Sequence, residues 1–586
     1  MEATRTDTKK NEMKYEKSEL ELMTTYQLRE ICRREKIMNG VIHPLDKEEL
    51  IQTIMRYMGK RQDFLICDKK KGGEERVEEF LKKTRIVIKP CKELYCQSQI
   101  LAYEGLSIEY YDGYTIPYKK ELSGTNAFLM GSDMTLCAIL NLKEHGERQE
   151  KLYLTKAAEL EIRETQRKDY RIFCMGRQTS ESLYHLYYGE HTILPEHIEV
   201  YSIPLIDFVV RKPVTLMLPM AIDFGSVNTT AGVYLDSAYF ENVGEQAAVK
   251  NCRENEINYT AFEDGAGESM LLPSVIGVLA VEEEDDKLLF GYDAIRLANA
   301  SYVDEGFCVF YDVKRWIGEY EKEEEIVDRQ GRRRLVKRAE ILRRFFLYII
   351  RKTENRFKCR ISQVHISSPV KQKHYFRRMF REILPEYMIN QEIMLDEGMA
   401  VLYNTISNML EQDTLEENEE YEALIIDCGG GTTDLCSYRF RIQDRRAAYK
   451  IYMETTYENG DTDFGGNNIT YRIMQILKIA LVRATGNQNV SSVKEILEYM
   501  DTDIYRFIDS HGVKEFYQYL EQEYQKAEET LPTRFADFER YNRSEYYKVK
   551  NNFYTLFNTA EQIKKLFYGK VGALEVTVTS EQKGQR

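Results

Sequence analysis

The stretches AIDFGSVNTT (residues 221–230) and IIDCGGGTTD (residues 425–434) decide the fold of this chain. In each, an apolar run precedes an aspartate and glycine, and another strand-like run follows, so each predicts the tip of a β-hairpin. Glycine lets the backbone approach an oxyanion, hydroxyl groups add donors, and the leading carboxylate can hold a hydrated cation. Two such tips facing each other would clamp a phosphate. The alternative is two unrelated tight turns, since glycine also serves plain turn geometry.

The composition is that of a soluble protein with several domains. A chain of 586 residues is too long for one core, and about three or four domains are expected. Its 96 acidic and 82 basic residues give a formal charge of -14, which argues against bulk electrostatic binding of nucleic acid. The 11 cysteines lack metal-ligand spacing and predict reduced, mostly core thiols. No apolar run could span a bilayer and the polar start lacks a signal sequence, so we expect a cytoplasmic protein without membrane contact.

Changes in pattern divide the chain into five parts. We expect a disordered start (1–17), a small helical module (18–60), a linker (61–84), a β-rich domain of unknown role (85–215) and an α/β domain (216–586) with a helical insertion around 470–555. The linker prediction rests on the lysines and glycines at 69–73. Apolar residues on both faces of several strands favour a sandwich or an interface in the β-rich part. Its predicted strands include Arg85–Ile88, Ser107–Tyr111, Leu136–Leu142, Leu152–Thr155, Tyr170–Phe173 and Leu205–Val210.

Residues 24–57, TTYQLREICRREKIMNGVIHPLDKEELIQTIMRY, predict two helices joined by an extended turn. Thr24 and Gln27 have the spacing of a capping box, and a second helix is expected from Asp46. The apolar stripes of the two helices are Leu28, Ile31 and Cys32, followed by Leu50, Ile51, Ile54 and Met58.

This segment resembles the SAP module, a helix-extended-helix unit of DNA- and RNA-associated proteins. The resemblance rests on Leu28-Arg29-Glu30, on Gly40 and on the run KEELI at 47–51. Basic residues there could contact phosphates, but neighbouring acidic residues nearly cancel their charge. Binding of nucleic acid through residues 20–60 and docking of a protein are therefore both open. The basic residues are Arg29, Arg33, Arg34, Lys36 and Lys47.

From residue 216 strands alternate with long amphipathic helices, an α/β pattern. Segments of this part resemble, in order, the ATPase domain of DnaK-type (seventy-kilodalton heat-shock) chaperones, in the actin, hexokinase and heat-shock superfamily. They are AIDFGSVNTT (221–230), LPS (272–274), FGYDA (290–294), YDVKRWIGE (311–319), ISSPVKQKHYFRR (366–378), LDEGMAVLY (395–403), IIDCGGGTTDL (425–435), GDTDFGG (460–466) and AEQIKKLF (560–567). YDVKRWIG and GDTDFGG favour the chaperone branch over actin itself. The resemblance implies a two-lobed actin-like fold that binds ATP or ADP with Mg²⁺.

By this resemblance, the hairpins hold the metal and the phosphates. Asp223 and Asp427 match aspartates that hold magnesium largely through water, and Thr432 matches a hydroxyl that helps hold the terminal phosphate. The other matching positions that would contact the nucleotide are Gly225, Ser226, Asn228, Gly429, Gly430, Gly431, Gly465 and Gly466.

The resemblance also assigns the catalytic side. Lys314 matches the lysine that orients the attacked phosphate and the water, Glu397 an interlobe carboxylate near the metal, and Asp434 a catalytic-side position. Phosphoryl transfer to water needs charge neutralisation and positioning, which a cation, a lysine and backbone amides supply. Two simpler interpretations are that Glu397 caps a helix and that Lys314 forms a solvated basic pair with Arg315. Residues matching the adenosine-gripping helix are Glu561, Lys564 and Lys565, the last in place of an arginine.

Departures from the family pattern limit the expected activity. Val227 replaces a hydroxyl in the first hairpin, so we expect slow turnover. A second glycine-rich adenosine motif does not occur before Arg586, which predicts an adenine pocket open on one side and a fold incomplete at its C-terminal end. Between Gly466 and Glu561 lies a longer helix-rich span than the family carries, whose aromatic residues could form core or a partner surface. These are Tyr505, Phe507, Phe516, Tyr517 and Tyr519.

Three functional hypotheses follow. The first is a chaperone-like switch that binds ATP, hydrolyses it slowly with Mg²⁺, and couples nucleotide state to the N-terminal modules and an unknown protein client. The second is a nucleotide-responsive adaptor that binds nucleic acid or protein through residues 20–60 with little turnover. The third, an actin-like filament protein, is the least favoured.

Overall fold

The computed structural model shows a multidomain α/β protein built on several separate sheets. It describes residues 15, 20, 22–34, 47, 50, 51, 54, 55, 64–146, 150–156, 163, 169–244, 249–264, 267–282, 286–299, 308–328, 332–369, 373–389, 396–445, 448–461, 464–499, 513–535 and 543–567. None of the described helices is both long and apolar enough to cross a membrane. All the cysteines are free thiols, and Cys428 is the exposed one.

The first helix, α1 (Thr25–Arg34), confirms the predicted capping box. Gln27 N–H donates to Thr24 Oγ1 at 3.3 Å, and Thr24 N–H donates to Gln27 Oε1 at 2.9 Å. The predicted stripe of α1 is buried against a second group of apolar side chains. The connecting turn at 37–46 and Met58 lie outside the described residues. The buried residues of the two groups are Leu28, Ile31, Cys32, Leu50, Ile51 and Ile54.

The N-terminal domain (residues 64–211) is built on a seven-stranded sheet of order β1-β8-β7-β4-β5-β6-β3. All neighbouring strands are antiparallel except β1 and β8, and β2 pairs in parallel with β9 as a separate ribbon. Its elements are α2 (Gly73–Lys83), β1 (Arg85–Lys89), β2 (Gln99–Tyr103), β3 (Thr115–Pro117), β4 (Thr125–Gly131), β5 (Leu136–Lys143), β6 (Lys151–Thr155), β7 (Tyr170–Met175), α3 (Arg177–Tyr188), β8 (His197–Leu205) and β9 (Asp207–Arg211).

Three predictions for this region are wrong. The predicted linker contains α2, whose Val77 and Leu81 are buried. Helices α2 and α3 cover one face of the seven-stranded sheet and the β2–β9 ribbon packs on the other face, so both faces are covered as the apolar residues predict. The predicted strand Ser107–Tyr111 is instead a loop and a 3₁₀ turn, because Ser107 N–H donates to Asn355 of the next domain rather than to a strand. The predicted strand Leu205–Val210 is split at Ile206, whose N–H donates to Ser98.

The next part, which we call the first lobe (residues 214–389), contains a sheet of order β13-β12-β11-β23-β24. The first three strands are antiparallel, and β23 and β24 join β11 in parallel. Its elements are β10 (Val214–Thr215), β11 (Met220–Phe224), β12 (Asn228–Leu235), α4 (Ser237–Val243), β13 (Glu256–Tyr259), β14 (Phe262–Glu263), β15 (Glu268–Ser269), β16 (Leu272–Pro273), β17 (Ile276–Ala280), β18 (Lys287–Phe290), α5 (Tyr292–Asn299), β19 (Val309–Phe310), a 3₁₀ segment (Val313–Glu319), β20 (Glu323–Val327), β21 (Arg333–Lys337), α6 (Arg338–Phe357), β22 (Cys359–Arg360), β23 (Gln363–Ile366), α7 (Lys373–Ile383) and β24 (Met388–Ile389).

The remaining part, the second lobe (residues 396–567), combines a three-stranded antiparallel sheet with a helical region. One face of the sheet packs on α8, and α9 to α12 share a separate apolar core, which confirms a helix-rich span after residue 466. Its elements are α8 (Glu397–Glu411), β25 (Tyr421–Cys428), β26 (Thr433–Asp444), β27 (Tyr449–Asp461), α9 (Gly466–Ala484), α10 (Val493–Tyr499), α11 (Val513–Ala527) and α12 (Arg543–Phe567).

The aromatic residues predicted in the helical region divide by environment. Tyr519 bonds to Ser491 Oγ at 3.1 Å and packs against the helical core, whereas the ring of Tyr517 lies under the guanidinium of Arg472. Tyr505, Phe507 and the side chain of Phe516 lie outside the description.

A buried ion pair joins the N-terminal domain to the first lobe. Lys358, directly after α6, donates to Asp112 Oδ2 at 2.8 Å and to Ser107 O at 3.0 Å. Burial raises the pKa of Asp112, and Lys358 counteracts the rise. Asn355 and Arg360 bond to the same loop of the N-terminal domain. The two parts are thus held together at the C-terminal end of α6.

Candidate functional site

The first predicted hairpin is present between β11 and β12. Asp223 pairs with Thr230, and Gly225 N–H donates to Asn228 O at 3.1 Å to close the tip. A Cβ at Gly225 would lie 2.3 Å from that same oxygen, so this turn admits only glycine. Ser274 supports the tip because its hydroxyl donates to Gly225 O at 2.7 Å.

The second predicted hairpin is present between β25 and β26. Asp427 pairs with Asp434, and Gly429 N–H donates to Thr432 O at 2.9 Å. The start of α9 lies against this tip, since the N–H groups of Gly466 and Asn467 donate to the carbonyls of Gly429 and Gly430. In a trans peptide the N–H points opposite to the C=O. The N–H groups of Gly430 and Gly431 therefore point away from α9.

The two tips contact each other. A Cβ at Gly430 would lie 2.4 Å from Val227 Cγ2, and one at Gly431 would lie 3.0 Å from Ser226 Oγ. Larger residues in the second tip would push the hairpins apart. The facing arrangement that the sequence predicts is thus formed by residues of both lobes, and Val227 fills part of the space between the tips.

Lys314 and Glu397 form a buried ion pair beside the tips. Lys314 is 7% exposed, and its Nζ lies 2.9 Å from Glu397 Oε1. Burial excludes the interpretation of Lys314 as a solvated basic pair. The capping interpretation of Glu397 is also wrong, because the preceding residue, Asp396, accepts the N–H of Met399 and caps α8. Glu397 is therefore available to Lys314.

The carboxylates that interact electrostatically with the Lys314–Glu397 pair include Asp223, Asp427 and Asp434. Burial raises the pKa of Glu397 to about 7, Lys314 opposes the rise, and Asp223 and Asp434 add to it. Burial also raises the pKa of Asp427, as does the charge of Asp223, and Lys314 again opposes. These mutual effects place all five groups within electrostatic reach, with an excess of negative charge that a divalent cation would offset.

The segment that carries Lys314 is tied to the first hairpin. Asp312 adopts the left-handed conformation, φ 52°, just before the segment. Burial raises the pKa of Asp312, whereas Arg315, Lys314 and the Ser226 hydroxyl lower it. Arg315 lies 2.6 Å from the same carboxylate. Ser226 therefore faces both the second tip and the turn that leads to Lys314.

The predicted adenosine residues lie next to the second hairpin. Lys564 Nζ lies 2.7 Å from Glu561 Oε2 and donates to Thr470 Oγ1 at 2.9 Å and to Gly466 O at 3.3 Å. The structure thus brings Glu561, Lys564, Gly465 and Gly466 to the start of α9. Lys565 is exposed and acts on Glu561 through its charge.

Some supporting residues are not identified by sequence reasoning. Ser274 occurs in the LPS segment, but the sequence assigns it no role. Ser367, in the segment ISSP, also has no predicted role, although its hydroxyl donates to Asp223 Oδ1 at 2.9 Å. Asp312 precedes the lysine and could have been noticed because aspartate tolerates a left-handed turn. The hydrogen bond from Asn558 of α12 to Tyr311 could not be predicted from the sequence, because the two residues lie 247 positions apart.

A cavity of about 520 Å³ lies elsewhere, between α6 and the Gly105–Leu106 turn of the N-terminal domain. Two of its arginines are already paired, Arg343 with Glu386 and Arg360 with Glu354. The hairpin tips, where the charges and glycine amides converge, are the better candidate for phosphate chemistry.

Comparison with models of known protein families finds no match for this chain, and no curated protein matches it.

Proposed function

We propose that the two hairpins bind the phosphates of ATP with Mg²⁺ and that the chain is a slow, chaperone-like ATPase switch with a two-lobed actin-like fold. The observation that carries the proposal is the contact of Ser226 and Val227 with Gly430 and Gly431, beside the buried Lys314–Glu397 pair. Supporting it, each hairpin belongs to a separate sheet, so nucleotide between the tips would bridge the lobes.

The donor set fits a magnesium–phosphate group. Asp223 and Asp427 would hold the cation, and the N–H groups of Gly430 and Gly431 would receive phosphate oxygens. Among the residues described, no group of three or more His, Cys, Asp or Glu side chains is arranged to ligate a metal directly, so a cation here would be held largely through water. When bound, the cation would neutralise phosphate charge.

The side chains supply the remaining chemistry. The Lys314 ammonium can neutralise charge on the attacked phosphate and hold the attacking water in line. Glu397, with a pKa near 7, can accept a proton from that water at the carboxylate oxygen not bonded to Lys314. Val227 offers no donor to phosphate, which favours slow turnover.

A nucleotide-responsive adaptor with little turnover is the second candidate. It is favoured by one observation: the Lys314 charge is paired with Glu397, which weakens its action on phosphate. Binding through residues 20–60 would then be the output, to nucleic acid or to protein.

The test measures ATP affinity by calorimetry and phosphate release in wild type, Lys314→Ala and Asp427→Asn. Lys322→Ala, which removes an exposed lysine, is the matched control. We expect both site variants to lose turnover by about a hundredfold or more and the control to keep it. Binding and turnover that both site variants retain would contradict the assignment, and tight binding without turnover in wild type would favour the adaptor.

A further inference from the structure

Helix α12 belongs to the second lobe but also contacts the first. Its Leu556 and Ala560 are buried in the core shared with α9. Its Tyr554 ring stacks on Tyr311, with centroids 4.5 Å apart and planes at 26°. Asn558 Nδ2 donates to Tyr311 Oη at 3.3 Å. Tyr311 follows β19 directly, so the helix reaches across to a residue of the first lobe.

Tyr311 also begins the turn that leads to Lys314. Only Asp312 and Val313 separate the two residues, and the left-handed φ of Asp312 fixes the course of the chain between them. Val313 is fully buried. A displacement of Tyr311 would therefore be transmitted to the lysine rather than absorbed by a flexible loop.

The same face of α12 carries the predicted adenosine residues. Tyr554, Asn558 and Glu561 are spaced by four and three residues, which places them on one side of a helix. Glu561 and the neighbouring Lys564 contact the start of α9, one to two turns beyond the contact with Tyr311. One helix thus touches both the adenosine side and the lysine turn.

We infer that Tyr554 and Asn558 are positioning residues through which α12 holds the Lys314 turn from the opposite lobe. The consequence of this inference rests on the proposed function: nucleotide held by Glu561 and Lys564 would fix the position of Lys314. Tyr554 and Asn558 act through Tyr311 and do not touch the phosphate.

The only tryptophan in the chain reports on this turn. Trp316 lies two residues beyond Lys314, with its ring 5.1 Å from that of Phe310 and 5.4 Å from the guanidinium of Arg338. Its emission and its quenching by acrylamide therefore measure the packing of the turn without nucleotide. Steady-state kinetics with Mg-ATP measures the position of Lys314 separately.

The variants are Tyr554→Ala and Asn558→Ala, with two controls. Tyr554→Phe keeps the stacked ring, and Asn552→Ala removes a similar hydrogen bond on the same helix, to Pro532 O, that does not reach the first lobe. We expect the two test variants to make Trp316 about twofold more accessible to acrylamide, and to lower kcat about tenfold with KM nearly unchanged. Both controls should resemble wild type.

The outcomes separate the inference from the function on which it builds. Equal Trp316 quenching in wild type and both test variants, or the same change in Asn552→Ala, would overturn the inference. A wild type that neither binds nor hydrolyses ATP would overturn the proposed function, while the quenching of Trp316 would still decide whether α12 holds the turn.

Discussion

At Val227 the first hairpin presents methyl groups toward the second hairpin, at the position where the proposed phosphate site would use a hydroxyl. The side chain faces Gly430, so the residue at this position directly borders the space between the tips. Val and Thr have nearly the same shape, but the hydroxyl makes their exchange a change of polarity rather than a neutral repacking. This position therefore tests whether the space between the tips accepts a hydrogen-bond donor.

We expect Val227→Thr to raise ATP affinity about tenfold, because the new hydroxyl adds a hydrogen bond to a charged oxygen. Calorimetric titration measures the change, and Val233→Thr, a buried position further along β12, controls for the added polarity. Unchanged or weaker affinity in Val227→Thr would argue against phosphate between the tips.

Glu397 gives the site a pH dependence. Its pKa is about 7 when folded against a usual value of 4.5. Between pH 4.5 and about pH 7, Glu397 keeps its proton in the folded protein but has lost it in the unfolded chain. The free energy of unfolding is therefore greater below pH 4.5 and falls as the pH rises toward 7. In the metal- and nucleotide-free protein, we expect this fall to be larger in wild type than in Glu397→Gln by on the order of 2 kcal/mol.

Urea unfolding at about pH 5 and about pH 8 gives the two free energies for each protein. The fall in the free energy of unfolding between these two pH values should be larger in wild type than in Glu397→Gln. Identical slopes would show that Glu397 titrates normally.

The roles of Lys314 and Glu397 were predicted from their segments, but their pairing was not. They lie 83 residues apart, and sequence offers no measure of the distance between two such side chains. Burial of the pair depends on how the two lobes pack, which local patterns do not encode.

At the scale of elements, the glycine hairpins were predictable because each combines a strand pattern with a local turn signal. The strand predicted at 107–111 does not form, because its apolar alternation is overridden by the hydrogen bond from Ser107 N–H to Asn355, in a different domain. Helix α2 was not predicted, because the lysines and glycines at its start indicate a linker, although its Val77 and Leu81 have helical spacing.

Helix α1 offers a direct test of a predicted element. We expect Thr24→Ala to destabilise the helical module by about 1 kcal/mol, because it removes the acceptor for Gln27 N–H. Hydrogen exchange at Leu28 and Ile31 would report the change. Thr24→Ser keeps the hydroxyl and should resemble wild type. Equal protection in Thr24→Ala would show that the cap does not stabilise α1.

At the scale of the molecule, α6 links the site to the N-terminal domain. Its first residue, Arg338, pairs with Glu319 of the Lys314 segment, and its C-terminal end carries the Lys358–Asp112 pair. Helix α6 would therefore supply a continuous route for the proposed coupling between nucleotide and the N-terminal domain. No sequence pattern predicts this docking, because it joins residues 246 apart.

We expect Lys358→Met to destabilise the protein by about 3–5 kcal/mol, because Asp112 would remain buried without its partner. The double variant Lys358→Met with Asp112→Leu should recover much of the loss. Lys337→Met, at the exposed start of α6, is the control. Thermal unfolding measures all three, and a loss no larger than that of Lys337→Met would contradict a buried coupling pair.

The proposed phosphate site depends on the contact between the tips of the two hairpins, and Gly430 tests this contact most directly. Titration of Mg-ATP into the full chain by calorimetry should give saturable binding in wild type and in Gly318→Ala, where an added Cβ meets no atom within 4 Å. It should give no binding in Gly430→Ala, whose Cβ would strike Val227, and partial recovery in Gly430→Ala with Val227→Ala. No saturable binding in wild type, or equal binding in Gly430→Ala, would contradict the phosphate clamp.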